Sequence, residues 1–90
     1  MSQENSMTLG DLKLGQQGQV TNISPLCQGA ERRRFMDLGL VSGTVVSAEM
    51  TSPSGDPTAY KIRGALIALR REQAHLINIT PITPLQSTQS

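Results

Sequence analysis

Glycine and proline interrupt this chain so often that its longest unbroken apolar run is only Ala65–Leu69. Runs this short suit strands or a short helix, and they fall far below the roughly 20 residues that a membrane-spanning helix needs. Residues 19–24 and 58–63 alternate polar and apolar side chains, and a tight connection at 63–64 follows the second stretch. The pattern predicts a mainly β fold, a small closed or nearly closed β-barrel with one short inserted α-helix.

One stretch of the chain, residues 29–38, has helical periodicity. Glu31 lies in the first turn, where the helix dipole favours an anion, and Gly39 suits the left-handed position after the last turn. We expect the apolar side chains to form one stripe toward the core, made of Phe35, Met36, Leu38 and Leu40. The outward face would then carry Arg33, Arg34 and Asp37.

The chain divides into one folded region and two polar ends. We expect residues 1–6 to be a disordered N-terminal tail and residues 81–90 to be a flexible C-terminal tail, because both are rich in polar side chains. Within the folded region 7–80, Ala65–Leu69 is predicted to be a largely buried strand. The sequence has one Phe, one Tyr and no Trp, so the core must consist mainly of aliphatic side chains.

Arginine clusters are the strongest functional signal in the sequence. Eight basic against seven acidic residues give a net charge of +1, which argues against a nucleic-acid-binding protein that relies on bulk electrostatics. Five of the six arginines nevertheless fall in two clusters, 32–34 and 70–71, and arginine often anchors protein interfaces. We therefore predict a partner-binding surface on the helix, the turn after it and the second cluster. Its candidate residues are Arg33, Arg34, Asp37, Leu40, Val41, Arg70 and Arg71.

Purely structural explanations of the same residues stay open. Outward arginines on an amphipathic helix often only solvate its exposed face. Arg70 and Arg71 could form a local ion pair with Glu72 or Asp37, which contributes little when exposed. The apolar residues Leu14 and Leu26, which also flank turns, could extend a docking patch or anchor the core.

The side chains needed for catalysis or metal binding are scarce. A single cysteine, Cys27, excludes an internal disulfide and is typical of a reducing compartment. The N-terminus lacks the charged and apolar regions of a signal peptide, so we expect a cytoplasmic protein. His75 is the one histidine, which rules out a two-histidine iron site within one chain. We expect no enzymatic activity, no metal site and no cofactor, and we expect Cys27 to be a partly buried apolar residue.

Four segments resemble one known family in their order and spacing. They read TLxDLxxGxxG at 8–18, RRFMDLGLxxGT at 33–44, GDP at 55–57 and GxxIALRRExA at 64–74. Together they span most of residues 7–80, and this region is similar to a stand-alone FeoA domain. The resemblance implies an SH3-like β-barrel. It also implies a cytosolic accessory role in ferrous-iron uptake, through contact with the cytosolic part of the GTP-binding transporter FeoB.

Two other functions stay open at this point. A small barrel with arginine clusters could bind nucleic acid, although such proteins stack bases on aromatic rings and this chain has only two. A metal-sensing or iron-chaperone domain would have to build its site around Cys27 and His75. An unpaired strand edge could also join two copies into a weak homo-oligomer. The leading expectation is FeoB as the partner, with no nucleic acid and no direct membrane insertion.

Overall fold

A computed structural model describes residues 7–82 of the 90-residue chain. The strands are β1 (Met7–Thr8), β2 (Gln17–Ile23), β3 (Val45–Thr51), β4 (Thr58–Ile62), β5 (Ala65–Leu69) and β6 (Ile77–Ile82). The helices are α1 (Gly29–Asp37) and the single turn α2 (Arg71–Ala74), and a 3-10 turn spans Leu9–Asp11. The mainly β architecture with one short inserted α-helix is confirmed.

The six strands form one antiparallel sheet in the order β1-β6-β2-β3-β4-β5. The β2–β6 ladder and the β3–β4 ladder each contain a register shift. Such bulges bend a strand and increase its twist, which helps so few strands to curl around one core. The buried side chains of that core are Leu9, Leu12, Val20, Ile23, Cys27, Phe35, Leu40, Val46, Ala48, Tyr60, Ile62, Leu69, Ala74, Ile77 and Ile79.

The predicted tails differ from the structure at one end. Residues 1–6 and 83–90 lie outside the described residues. Pro81 and Ile82, which were expected to belong to the C-terminal tail, instead continue β6 and pair with β2. Pro81 has no N–H to donate, but β1 pairs with β6 only at Asn78 and Ile79, so no second ladder needs that donor.

Three hydrogen bonds fix the 3-10 turn and the residue before it. The Thr8 N–H donates to Asp11 Oδ2 at 2.9 Å, and Thr8 Oγ1 lies 2.8 Å from His75 Nδ1. The Tyr60 hydroxyl donates to the backbone C=O of Leu9 at 3.4 Å. These bonds tie the N-terminal segment to β4 and to the residue that follows α2.

The prediction that Ala65–Leu69 is largely buried is wrong. Ala65, Leu66 and Ala68 are exposed, and the exposed fraction of Leu66 is 57%. Because β5 is the last strand of the sheet, one of its faces and one of its edges lie outside the core, and Leu69 alone is fully buried. An unbroken apolar run therefore indicates a strand here but not its place in the sheet.

The tight connection between β4 and β5 is confirmed. Ile62 pairs with Ala65 across a two-residue turn, in which Arg63 has a φ of +52° and Gly64 a φ of +83°. Two left-handed residues define a type I′ turn, whose twist matches that of the flanking strands. Arginine is an unusual first residue for such a turn, since it has a Cβ that disfavours positive φ.

Candidate partner-binding surface on α1

Helix α1 is fixed at its C-terminal end by a backbone motif. The Gly39 N–H donates to the Met36 C=O at 3.0 Å, and the Leu40 N–H donates to the Phe35 C=O at 3.0 Å. With a φ of +100° at Gly39, these two bonds form a Schellman motif. Its usual apolar contact is supplied by Phe35 and Leu40, whose exposed fractions are both 0%. The arginine-bearing helix therefore ends at a rigid point.

The three arginines of the first cluster point in different directions around α1, because successive helical residues are about 100° apart. Arg32, Arg33 and Arg34 are each exposed, as is Asp37. Met36 was predicted to face the core, but its exposed fraction is 46%. The reason is that Phe35 alone fills the inner side of this short helix, with Leu38 half-buried beside it. A basic face with one accessible apolar side chain results.

A groove of about 210 Å³ lies between α1 and the end of β2. Arg32 and Met36 border it from the helix. Leu40, a predicted partner contact, was also placed in the inward apolar stripe, and that placement is confirmed, because the Schellman motif turns the side chain beneath the groove, where it has no exposed surface. Val41, also a predicted contact, is half-buried in the groove wall. The complete lining is Thr21, Asn22, Ile23, Arg32, Met36, Leu40, Val41 and Ser42.

Leu26 is the most exposed large apolar side chain among the described residues, with an exposed fraction of 83%. It lies in a turn just before α1, where the Cys27 N–H donates to the Ser24 C=O at 2.9 Å and the Leu26 N–H donates to Ser24 Oγ at 3.1 Å. The open question of whether Leu26 anchors the core is thereby settled. Leu26 is a fixed apolar projection beside the helix.

Cys27 is part of the core rather than of a reactive site. Its exposed fraction is 2%, as expected for a partly buried apolar residue. Burial raises the pKa of the Cys27 thiol, the Glu31 carboxylate adds to that rise, and the Arg32 guanidinium opposes it. The thiol therefore stays protonated at neutral pH and is a poor nucleophile and metal ligand.

The two ends of α1 contact the segments that flank β5. In the first turn, Gln73 Nε2 of α2 donates to Glu31 Oε2 at 3.5 Å. At the other end, the Arg63 side chain covers Gly39, where an added Cβ would lie 2.6 Å from Arg63 Cδ. Since Arg63 precedes β5 and Gln73 follows it, α1 passes β5 in the opposite direction. The Arg63 cation near the last turn of α1 also interacts favourably with the helix dipole.

Arg63 was not among the residues that the sequence predicted for this surface. Turn residues are usually Gly, Asn or Asp, so an arginine in the pair before Gly64 is itself a signal. Its left-handed φ of +52° places it across from Gly39, which has no Cβ to block the approach. The sequence indicates the turn, but it does not show that the turn reaches α1.

The second arginine cluster lies at another cleft. Arg71 borders a cleft of about 330 Å³ together with Lys13, Leu14 and Tyr60, and its N–H donates to Asp56 Oδ1 at 2.8 Å. Arg70 and Arg71 are exposed at the start of α2. The structure therefore does not merge the two clusters into one groove, although α2 touches α1 through its glutamine.

Residues 7–82 offer little support for the two other functions, nucleic-acid binding and metal binding. The aromatic rings, Phe35 and Tyr60, have exposed fractions of 0% and 2%. Within this part of the chain, no three His, Cys, Asp or Glu side chains are close enough to share a metal ion. No helix in the same range is long and apolar enough to cross a membrane.

The fold and its arginine-bearing helix define a small SH3-like barrel with a candidate binding surface on the inserted helix. The family model for the FeoA domain matches residues 7–81. The chain therefore belongs to the FeoA domain family.

Known proteins of the family agree with this assignment. The FeoA-like protein of Clostridium acetobutylicum is 30% identical, with 93% of each chain covered and a TM-score of 0.78. FeoA of Stenotrophomonas maltophilia, solved with zinc, is 29% identical over 81% of this chain and 88% of its own, with a TM-score of 0.73. It is described as a prokaryotic SH3-domain protein and a candidate activating factor for ferrous-iron transport.

A curated relative links the family to ferrous-iron transport. The Fe(2+) transport protein A/Fe(2+) transporter FeoB fusion protein of Porphyromonas gingivalis is 30% identical over 77 residues. These residues are 86% of this chain but only 9% of the fusion protein. The present chain thus corresponds to a small part of a polypeptide that also contains a transporter.

Proposed function

We propose that this chain is a non-catalytic cytosolic accessory protein of ferrous-iron uptake, which binds the cytosolic part of FeoB and supports or regulates transport. The observation that carries the proposal is the relative in which a FeoA region and FeoB share one polypeptide. Fusion makes the encounter of two modules intramolecular, with an effective concentration in the millimolar range for short linkers. We infer from this pairing that the barrel contacts FeoB through its own surface.

The α1 surface is the part of the molecule best suited to that contact. Arg33 and Arg34 are exposed on a helix that is held at both ends, so little conformational entropy of the backbone is lost on binding. Met36 and Val41 supply apolar area beside them, and Asp37 adds an acidic group. Arginine next to accessible apolar side chains is a common composition for interface centres.

The alternative functions gain no specific support. A base-stacking site for nucleic acid would need accessible aromatic rings, and both rings of this chain are buried. A metal sensor would need Cys27 or His75 as ligands. The Cys27 thiol is buried, and His75 Nδ1 is engaged with the Thr8 hydroxyl.

The direct test is binding of the purified chain to full-length FeoB in nanodiscs, measured by interferometry with GDP and with a non-hydrolysable GTP analogue. We expect saturable binding in at least one nucleotide state. The variant Arg33→Glu/Arg34→Glu should weaken it by about 30-fold or more, because one arginine anchor is worth about 2 kcal/mol.

A matched control separates this surface from general electrostatics. Arg70→Glu/Arg71→Glu changes the net charge by the same amount at the other cleft, and it should leave most of the affinity intact. Equal loss in both variants would contradict the assignment to α1. No binding in either nucleotide state, by protein that is folded according to circular dichroism, would refute the proposed function.

A further inference from the structure

Three segments that are distant in the chain meet at the cleft beside the second arginine cluster, which has a volume of about 330 Å³. They are the turn at residues 12–14, the loop between β3 and β4, and the first residue of α2. The cleft shares no lining residue with the groove beside α1. The contact proposed for α1 therefore leaves this cleft without a role.

Hydrogen bonds hold both walls of the cleft in place. On one side, the Lys13 N–H donates to Gln16 Oε1 at 2.9 Å. On the other, the Arg71 N–H donates to Asp56 Oδ1 at 2.8 Å and so ties α2 to the β3–β4 loop. The Arg71 guanidinium lies over Gly55 of this loop, where an added Cβ would be 3.8 Å from Nη2. An occupant thus meets preformed walls, which lowers the entropic cost of binding.

The charged side chains that line the cleft are both cationic. They are Lys13 and Arg71, and each is exposed. The acidic residues Asp11 and Asp56 are close in sequence to the lining but are not part of it. Each of these carboxylates accepts a backbone N–H, Asp11 from Thr8 at 2.9 Å and Asp56 from Arg71. The charges of the lining favour an anionic occupant.

An apolar surface lies beside the two cations. Leu14 is 57% exposed, whereas Leu12 and Tyr60 are 8% and 2% exposed deeper in the lining. An aliphatic side chain that packs against Leu14 removes apolar area of both partners from water, which is favourable. An inorganic anion would pair with the cations and leave this area uncovered. The lining therefore suits a ligand that has acidic and aliphatic groups together.

A segment of another protein meets these requirements better than a small molecule does. Sites for small molecules bury most of the surface of their ligand. Here Lys13, Leu14 and Arg71 are all exposed, so the cleft covers only one side of whatever it binds. Recognition of short acidic motifs by exposed basic side chains is a recurring mode of peptide binding.

We propose that this cleft is a second docking site, which binds a short segment of a partner protein with one large aliphatic side chain flanked by acidic residues. The aliphatic side chain packs against Leu14 and Leu12. The carboxylates pair with Lys13 and Arg71, and the planar guanidinium of Arg71 can hold one of them by two hydrogen bonds. The aliphatic contact supplies affinity, and the two cations select an acidic segment.

The test uses the full chain and three synthetic peptides with blocked ends. Their sequences are Glu-Glu-Leu-Glu-Glu, the same peptide with glutamine for every glutamate, and the same peptide with alanine for leucine. Amide chemical shifts of the protein, followed by NMR during titration, report both affinity and location. We expect the first peptide to shift the amides of residues 12–14, Gly55 and Arg71 saturably. The other two should bind about fivefold more weakly or worse, because each lacks one of the two contacts.

Paired variants separate this cleft from the α1 surface. Lys13→Gln/Arg71→Gln removes both cations but keeps the N–H that binds Asp56, so the fold should persist, as circular dichroism would confirm. Its affinity for the first peptide should fall by about fivefold or more. Arg33→Gln/Arg34→Gln removes the same charge from α1 and should bind this peptide as well as the wild type. Binding to FeoB should show the opposite order, so either proposal can fail without the other.

A third variant tests the apolar contact. Because Leu14 is exposed, Leu14→Ala should leave the fold intact. It should weaken binding of the leucine peptide by about threefold or more and change binding of the alanine peptide little, since a methyl group reaches less of the Leu14 surface.

Four results would overturn the proposal. The first is no binding of the Glu-Glu-Leu-Glu-Glu peptide. The second is equal binding of the glutamine peptide or of the alanine peptide, which would remove the charge or the aliphatic contact from the account. The third is an equal loss of affinity in the two double variants. The fourth is a change in the same amide shifts when the free protein is diluted, which would show that a second copy of the chain occupies the cleft.

Discussion

Gly18 packs against the side chain of Ile79, and the sign of a predicted stability change at this position depends on one atom of that side chain. Gly18 is buried in β2, and an added Cβ would lie 2.5 Å from Ile79 Cδ1 but 3.5 Å from both Cβ and Cγ1 of Ile79. Gly18→Ala should therefore be destabilising, because a methyl group forced into a packed core costs about 1–3 kcal/mol. Replacing glycine offsets about 0.4–1 kcal/mol of this through lower entropy of the unfolded chain. The expected net loss is about 1–2 kcal/mol.

The variant Ile79→Val removes Cδ1 and nothing else. Alone it should cost about 0.5–1.5 kcal/mol. In the Ile79→Val background, the alanine methyl at position 18 has room, so Gly18→Ala should become stabilising by about 0.4–1 kcal/mol. Urea unfolding of the four proteins, followed by far-ultraviolet circular dichroism, measures this cycle. Equal destabilisation by Gly18→Ala in both backgrounds would refute the assignment of the clash to Cδ1.

Two further predictions concern the α1 terminus and the buried ionisable groups. Gly39→Ala should lower the free energy of unfolding by about 1–3 kcal/mol. The loss should exceed that of Gly43→Ala, since both positions have positive φ but Arg63 lies only beside Gly39. In an Arg63→Gly background the two losses, measured by urea unfolding, should become equal, and an unchanged difference would contradict this reasoning. Burial raises the pKa values of Cys27 and Tyr60, so the stability that these two groups contribute should be fully present below the ordinary thiol pKa of about 8.5 and should fall as pH rises beyond it. Cys27→Ala should remove the first part of that fall, and a pH-independent free energy of unfolding up to pH 11 would contradict the prediction.

The elements of the barrel could be predicted from the sequence because their signals are local. The Arg63-Gly64 turn and the helix that ends before Gly39 follow from short-range geometry, and the structure has both. The exposure of β5 could not be predicted in the same way. The run Ala65–Leu69 is apolar throughout, so its pattern cannot distinguish a central strand from an edge strand, and its place in the sheet depends on long-range pairing.

The errors at the candidate site have a common cause. Periodicity placed Met36 and Leu40 in one inward stripe; Leu40 is fully buried, but Met36 is 46% exposed. The helix has only Phe35 as a fully buried residue, and the Schellman motif after it directs Leu40 under the groove. A helical wheel shows which side chains share a face, but it does not show how much of that face the barrel covers. Arg63 escaped notice for a related reason, since it reaches α1 from a distant turn.

The most direct measurement of the central claim is site-specific photocrosslinking in cells that contain FeoB. A benzophenone side chain is placed at Arg33 in one variant and at Lys13, an exposed position at the other cleft, in a second. The account predicts a crosslinked product that contains FeoB from position 33 and little or none from position 13. A product from position 13 with none from position 33 would show that α1 is not the surface that meets the transporter.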